Sequence, residues 1–150
     1  MITKQVIDDF FKQKRYAVVG VSRNPKKFSS AVYREMKAKG FEVYPVNSRA
    51  EKVEQDPCYP DLKSIPHQID AVVVLVPPHE AEKVVQDSST LGIPYIWLQQ
   101  GTESESILNF CREKKIQVIH HHCIFMFLEP ITGGHAVHRW FAKLFRKVPT

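Results

Sequence analysis

Glycine is scarce in this sequence, and its placement excludes two common phosphate-binding motifs. Only 6 of the 150 residues are glycine. The first strand-like segment is followed by Gly20 alone, so the three glycines of the GxGxxG dinucleotide fingerprint are missing. No Gly-Lys-Ser or Gly-Lys-Thr run occurs either, which excludes a Walker A loop.

Cysteines and long apolar runs are also few. The three cysteines form no CxxC pair and are typical of reduced thiols in a reducing compartment: Cys58, Cys111 and Cys123. The longest apolar run, Ala71–Val76, stops at Pro77 and is too short to cross a membrane. Residues 1–16 alternate charged and apolar groups and contain no signal-peptide core. We therefore expect a cytoplasmic protein without a membrane partner.

The composition is that of one globular domain with an excess of positive charge. Hydrophobic residues make up 43%, enough for a buried core, and the length suits a single domain spanning residues 1–150. The formal net charge is +5. This sign favours an anionic partner, and nucleic acid, an anionic membrane surface or a phosphorylated cofactor would each fit.

Strand-like and helix-like segments alternate along the chain. The predicted strands are Tyr16–Val21, Phe41–Asn47, Ala71–Val76, Tyr95–Leu98 and Gln117–His121. The predicted helices are Thr3–Gln13, Ser29–Lys39, His79–Leu91, Glu103–Lys114 and His135–Lys147, and Arg49–Ile65 is predicted as an irregular connector. Crossovers of this length require parallel strands with helices on both faces. We predict an α/β fold: a Rossmann-like, three-layer, doubly wound sheet of five parallel strands in the order 3-2-1-4-5, with a ligand crevice beside strand 1.

The loop Gly20–Phe28 is the first candidate phosphate site. Gly20 allows a ligand to approach the backbone closely, and the following helix presents unpaired amides and a positive dipole end. Ser22 can donate a hydrogen bond, and three cations supply charge: Arg23, Lys26 and Lys27. The alternative is a solvated turn whose basic side chains simply face water.

Three further segments are predicted to meet this loop at the carboxyl edge of the sheet: the ends of strands 2 and 3, and Gln99–Gly101 after strand 4. Strand 2 ends in Asn47, and Arg49 follows it; a basic residue there tolerates a phosphate on the ribose, which both NADP and coenzyme A carry. Strand 3 ends in Val76-Pro77-Pro78, a rigid apolar surface on which an adenine ring could pack. The alternative is that these prolines only end the strand and start the next helix.

Several short motifs, taken together and in order, resemble those of the small single-domain coenzyme A-binding proteins. The matching pieces are Val19-Gly20-Val21-Ser22 with Asn24-Pro25-x-Lys27, Gly40-Phe41-x-Val43-x-Pro45-Val46-Asn47, Cys58-Tyr59-Pro60-x-Leu62 with Ile65-Pro66, Val76-Pro77-Pro78, Trp97-Leu98-Gln99-x-Gly101, and Cys123. This family is similar to the coenzyme A-binding domain of the succinyl-CoA synthetase α subunit. The chain departs from the family pattern at Phe28-Ser29-Ser30, where the family often has a glycine.

The resemblance implies coenzyme A as the cofactor. It implies phosphates at the first loop, the adenosine between the ends of strands 2 and 3, and the pantetheine arm at the Gln-x-Gly turn. The candidate binding residues are Gly20, Val21, Ser22, Pro25, Lys27, Asn47, Val76, Pro77, Pro78, Gln99 and Gly101. Three more are added for their charge alone: Arg23, Lys26 and Arg49.

A histidine cluster and a neighbouring thiol are candidates for metal binding and for covalent chemistry. In a strand, the first and third residues of His120–His122 share a face, and His135 and His138 share one on a helix. A zinc site is imaginable, but hydrogen bonds to backbone or to Glu129 explain the same residues, so no metal ligand is assigned. Cys123 is a candidate for a mixed disulfide with coenzyme A, for a nucleophile or for a core residue, and no catalytic residue is assigned.

We therefore expect a binding protein rather than an enzyme, one that binds coenzyme A or an acyl-CoA, alone or as an accessory to a protein partner. Synthetase activity would need further domains, for which 150 residues leave no room. A small NADP-dependent oxidoreductase is the alternative. The basic residues of the last helix fit a solvated face better than a nucleic-acid site: Arg139, Lys143, Arg146 and Lys147. Its aromatic residues either cover the sheet or form a homodimer face: Trp140, Phe141 and Phe145.

Overall fold

The computed structural model describes residues 3–128, and the predicted doubly wound α/β fold is confirmed within them. The strands are β1 (Arg15–Val19), β2 (Glu42–Val46), β3 (Lys52–Val53), β4 (Asp56–Pro57), β5 (Ala71–Val74), β6 (Tyr95–Gln99) and β7 (Gln117–His122). The α-helices are α1 (Lys4–Phe10), α2 (Phe28–Ala38), α3 (Pro78–Thr90) and α4 (Glu105–Glu113). The predicted helix His135–Lys147, with its basic, aromatic and histidine residues, lies outside the described residues, as does Glu129.

The order of the strands corrects the prediction. The main sheet is entirely parallel and runs β2-β1-β5-β6-β7, so its five long strands follow the order 2-1-3-4-5 and not 3-2-1-4-5. The reason is burial: all four residues of β5 are buried, and a continuous apolar strand needs a neighbour on each side. β2 instead carries the exposed Glu42 and also Pro45, residues that suit a sheet edge.

Apolar side chains form one core on each face of the sheet. On the first face, Phe10 of α1 and Tyr33 of α2 belong to the same cluster as Trp97 of β6. On the second face, Val85 of α3 and Ile107 of α4 pack with the alternate residues of the strands. Helices therefore cover both faces and make the three predicted layers. None of the described helices combines the length and apolar character that a membrane span requires.

Cap residues set where two of the helices begin. Thr3 caps α1, because its hydroxyl oxygen accepts a hydrogen bond from the Val6 amide at 3.3 Å. Ser104 caps α4 in the same way, accepting from the Ile107 amide at 3.2 Å. The second cap explains why α4 begins at Glu105, two residues later than predicted.

The connector predicted as irregular contains ordered elements. β3 and β4 pair as an antiparallel hairpin, and its turn residues Glu54 and Gln55 have φ of +51° and +68°. A 3-10 helix, η1 (Leu62–Ser64), follows, and its N-cap Asp61 accepts from the Ser64 amide at 2.9 Å. The hairpin is hard to recognise in the sequence, because tight turns of this kind usually carry Asn, Asp or Gly.

The end of β7 is irregular. Its register with β6 shifts between Trp97 and Gln99, and His121 has a φ of +62°. The ring of His120 lies 4.5 Å from that of His121, whereas the ring of His122 contacts Phe127. Simple alternation, on which the shared face of His120 and His122 was based, is therefore interrupted by this bulge.

Candidate functional site

A groove opens at the carboxyl edge of the sheet, beside the ends of β1, β2 and β5. Its volume is about 710 Å³, within the range of sites that hold cofactors. The chain passes from β1 to β2 on one side and then to β5 on the other side of β1, so the strand order reverses here. Open α/β sheets bind ligands at such a switch point. The groove is lined by six of the predicted residues: Gly20, Ser22, Asn47, Arg49, Val76 and Pro77.

Gly20 lies where the ends of β1 and β5 touch. Its backbone amide donates to the Val46 carbonyl at 2.8 Å. A Cβ atom at this position would lie 2.8 Å from Val76 Cγ1 and 3.1 Å from the carbonyl oxygen of Leu75. Glycine is therefore needed for the two strand ends to stay in contact at the wall of the groove.

Asn47 ties the end of β2 to the end of β1. Its Nδ2 donates to the Val21 carbonyl at 2.8 Å, and its Oδ1 accepts from the Arg49 amide at 2.8 Å. Its own amide donates to the Tyr59 carbonyl at 2.9 Å. Asn47 thus holds the turn that carries Arg49, whose exposed side chain lines the groove. Val21, in contrast, is fully buried in the core and is not among the lining residues.

The predicted phosphate loop is braced by its own side chains. Ser29 Oγ accepts from the Ser22 amide, and Ser22 Oγ accepts from the Asn24 amide, both at 3.0 Å. The buried hydroxyl of Ser30 is 2.8 Å from the carbonyls of both Ser22 and Asn24. Asn24 accepts from two further amides of the loop. Ser29 and Ser30, which depart from the family pattern, therefore pre-organise the loop. Ser29 also occupies the Ser22 amide, which could otherwise bind phosphate.

The remaining loop residues lie beside the groove and do not line it: Arg23, Pro25, Lys26 and Lys27. All four are exposed. The three cations form no ion pair with a carboxylate in the described part of the chain. Lys27 is the N-cap of α2 and makes no side-chain cap hydrogen bond, so the start of α2 keeps its positive dipole end unneutralised by a cap. Cations beside a helix N-terminus favour the binding of an anion at this corner.

The opposite wall of the groove consists of residues that the sequence analysis did not assign. They come from α3 and from the segment around η1: His79, Glu80, Lys83, Val84, Asp87, Pro60, Asp61 and Leu62. The spacing of His79, Lys83 and Asp87 is i, i+4, i+8, which places them on one face of a helix and is the signal that identifies them. Pro78 is exposed at the start of α3 and does not line the groove.

The Gln99-x-Gly101 turn does not line the groove either. Gln99 Oε1 accepts from the Ile124 amide at 3.0 Å, and the Gly101 amide donates to the Glu103 carboxylate at 3.1 Å. β5 stands between β1 and β6, so the turn after β6 is one strand removed from the switch point. The predicted strand order brought this turn next to strand 1, and its correction moves Gln99 and Gly101 away.

The thiol at the end of β7 is enclosed, whereas the histidines before it range from partly buried to exposed. Cys123 is 3% exposed, and burial raises the pKa of its thiol although a hydrogen bond with Gln99 acts in the opposite sense. A buried, protonated thiol is a poor nucleophile. Among residues 3–128, no three His, Cys, Asp or Glu side chains gather closely enough to hold a metal ion. His135 and His138 lie outside that range.

Comparisons with known proteins identify a family. The family model of the CoA binding domain matches residues 14–129. The α subunit of ADP-forming acetate–CoA ligase II from Pyrococcus furiosus is 33% identical over 89 residues, which are 59% of this chain and 20% of that subunit. Protein YneT of Bacillus subtilis is 32% identical over 113 residues, 75% of this chain and 84% of YneT. A solved structure, a conserved hypothetical protein from Pyrococcus furiosus, has a TM-score of 0.72 and 32% identity, covering 76% and 98% of the two chains.

The extent of these matches differs between the relatives. The chain spans only a fifth of the ligase subunit but most of YneT and nearly all of the solved structure. The groove and the strand ends that form it lie inside the segment that the family model matches. The resemblance to the small coenzyme A-binding proteins is confirmed, and the chain belongs to the family of CoA binding domains.

Proposed function

We propose that this protein binds coenzyme A or an acyl-CoA in the groove at the carboxyl edge of its sheet, as a binding or accessory protein and not as an enzyme. One observation carries the proposal: the groove lies at the switch point of the sheet, within the segment matched by the CoA binding domain. Gly20 contributes to the site by letting the ends of β1 and β5 meet at the wall of the groove.

The distribution of cations suits a ligand with several phosphates. Arg49 is exposed in the groove and has no carboxylate partner among residues 3–128. We assign the 3′-phosphate of the ligand to Arg49, and the diphosphate to the start of α2 with Lys26 and Lys27. The pantetheine arm then leaves the groove toward the Gln99-x-Gly101 turn, which lies outside it.

Two observations support a binding role over a catalytic one. The pKa of the Cys123 thiol is raised by burial, so at neutral pH this group is held in its unreactive form. The match to the acetate–CoA ligase subunit covers a fifth of that subunit, so ligase activity is not carried over to this chain. We keep the cytoplasm as the proposed location, in line with three free thiols.

Calorimetric titration with three ligands tests the proposal: coenzyme A, dephospho-coenzyme A and NADP. We expect coenzyme A to bind most tightly, dephospho-coenzyme A more weakly and NADP not at all. Arg49→Glu should weaken coenzyme A binding by about tenfold or more and remove the preference over dephospho-coenzyme A, because it places a like charge at the 3′-phosphate. Lys27→Glu should weaken both coenzymes alike, through the diphosphate.

Lys12→Glu is the matched control. It makes the same change of charge at an exposed residue just before β1, at the opposite edge of the sheet, and should leave the affinity unchanged. A wild-type protein that does not bind coenzyme A, or prefers NADP, would contradict the proposed function. An unchanged preference in Arg49→Glu would contradict only the assignment of the 3′-phosphate.

A further inference from the structure

One carboxylate in the groove is partly buried and yet accepts no hydrogen bond from the described residues. Asp87 lies on α3, lines the groove, and has a side chain that is only 18% exposed. It forms a long ion pair with Lys63, whose Nζ is 3.8 Å from Oδ1, beyond hydrogen-bond distance, and whose own side chain is 59% exposed. No side chain or amide of residues 3–128 donates a hydrogen bond to this carboxylate. Solvent reaches this carboxylate while the groove is open, and a ligand that displaces the solvent must supply a donor in its place or leave the acceptor unsatisfied.

The other carboxylates of the groove are placed differently. Asp61 Oδ1 already accepts from the Ser64 amide at 2.9 Å and from the Ser64 hydroxyl at 2.7 Å, as the cap of η1. Glu80 is 57% exposed and lies 3.8 Å from His79. Water solvates Glu80, and the cap satisfies Asp61, so neither carboxylate needs a ligand. Asp87 is therefore the acceptor that the folded chain leaves unused.

The position of Asp87 separates it from the phosphate-binding corner. α3 starts at the carboxyl edge, and Asp87 lies eight residues after His79, which is about 12 Å along the helix axis. The groove thus extends from the strand ends down the side of α3. This part of the groove, which we call its deeper part, is also lined by Val84, a partly exposed apolar side chain that offers a surface to a flat ring, with Leu62 buried behind it.

We propose that Asp87 accepts a hydrogen bond from the exocyclic amino group of the ligand's adenine and makes the site selective for a 6-aminopurine. The proposal rests on the proposed function, because it takes the phosphates to lie at the strand ends and the base in the deeper part of the groove. It names Asp87, which accepts no hydrogen bond from residues 3–128, as a specificity-determining group at a position outside the sequence motifs.

Adenine and hypoxanthine differ in hydrogen bonding at position 6 of the ring, and this difference is the basis of the selectivity. An ionised carboxylate can only accept hydrogen bonds, and the 6-amino group of adenine can only donate there. Hypoxanthine carries a carbonyl oxygen at the same position, so its lone pairs would face the carboxylate and both groups would lose their hydration. An Asn amide can present either its oxygen or its NH₂ group, and it therefore accommodates both bases.

The test compares coenzyme A with its hypoxanthine analogue, which has the same phosphates and the same pantetheine arm. Calorimetric titration of the wild type should show a preference for coenzyme A of roughly tenfold or more. Asp87→Asn should bring that ratio close to one, mainly by improving binding of the analogue. Asp87→Leu should also bring the ratio close to one, by weakening coenzyme A.

Glu82→Gln is the control, since it removes the same charge from an exposed residue of α3 that does not line the groove. It should keep the wild-type ratio, and thermal unfolding of each variant shows that the fold is retained. A wild type that binds both coenzymes equally, or an Asp87→Asn variant that keeps the full preference, overturns the inference while leaving coenzyme A binding intact. A wild type that binds neither coenzyme overturns the proposed function as well.

Discussion

At the scale of single residues, Gly20 combines two separate constraints. Its φ of +101° lies in a region that residues with a Cβ atom rarely adopt. Its α-carbon also faces Val76 and Leu75 so closely that a methyl group would clash with them. Gly40 has a similar φ of +91°, yet nothing lies within 4 Å of the position of its Cβ atom. A comparison of the two glycines therefore separates the effect of backbone strain from the effect of steric contact.

Gly20→Ala should destabilise the protein and weaken coenzyme A binding, whereas Gly40→Ala should only destabilise it. Backbone strain costs about 1–3 kcal/mol in each variant, and the clash with Val76 adds to that cost at Gly20 alone. Urea unfolding measures the first effect, and calorimetric titration measures the second. Equal affinities in the two variants would mean that the contact between the ends of β1 and β5 does not shape the groove.

Residues that must follow a strand are predictable from the sequence, but the direction of a long side chain is not. Gly20 and Asn47 come to the groove because each directly follows a parallel strand, and such strand ends share one edge. Lys26 is assigned for its charge alone, and Lys27 is assigned from the family resemblance as well as its charge. Charge does not determine where a flexible, exposed side chain points, and both residues lie beside the groove.

At the scale of secondary-structure elements, one carboxylate fastens the β3–β4 hairpin to α2. Asp56 Oδ2 accepts hydrogen bonds from the Tyr33 hydroxyl and from Lys37 Nζ, each at 2.5 Å. Burial would raise the pKa of Asp56, but these hydrogen bonds outweigh it and hold the pKa below its ordinary value. Because Tyr59, just after the hairpin, accepts from the Asn47 amide, the hairpin links α2 to the groove.

Asp56→Ala should lower the free energy of unfolding by about 1–3 kcal/mol, because it leaves the buried hydroxyl of Tyr33 without an acceptor. Arg34→Gln breaks an ion pair between α2 and Glu54 of the same hairpin, with both side chains partly exposed, and should cost less than about 1 kcal/mol. Urea unfolding measures both. Adding Tyr33→Phe to Asp56→Ala should recover part of the loss, and strictly additive losses would count against the hydrogen bond as the cause.

Long elements with regular periodicity are predictable because each residue adds to the same signal. β5 has four buried residues in succession, and its existence follows from that run alone. β3 and β4 have two residues each, too few for any period, and they become strands only by pairing with one another. Their position depends on contacts such as the one between Tyr33 and Asp56, which are 23 residues apart in the sequence.

At the scale of the whole molecule, the strand order decides which loops can share a ligand. The alternation of strands and helices predicts a parallel sheet but does not fix the order of its strands. Burial does contain that information, because the most apolar strand takes the centre and a strand with Glu42 and Pro45 takes an edge. This order brings Val76 against Gly20 and separates Gln99 from both.

The stability of the whole protein should depend on pH through His120. Its Nδ1 is buried and has no hydrogen-bond partner among the described residues. Burial first, and then the neighbouring His121, lowers the pKa of His120; His122 acts in the same sense, and Glu103 opposes them. In the unfolded chain the imidazole takes up a proton near its ordinary pKa of 6.5. The stability that follows from keeping His120 neutral in the folded protein is therefore complete above this pH. It is lost as the pH falls toward the lower pKa of His120 in the folded state.

His120→Gln removes this titrating group and should make the stability less sensitive to acid. We expect the unfolding temperature of the wild type to fall further than that of His120→Gln between about pH 8 and pH 5.5, because only the wild-type unfolded state gains the additional proton at position 120. Circular dichroism without ligand measures this, since a bound coenzyme would itself stabilise the folded state. His67→Gln, at an exposed position, should follow the wild-type curve. If the unfolding temperatures of His120→Gln and the wild type fall in parallel with pH, the loss of stability in acid comes from other groups.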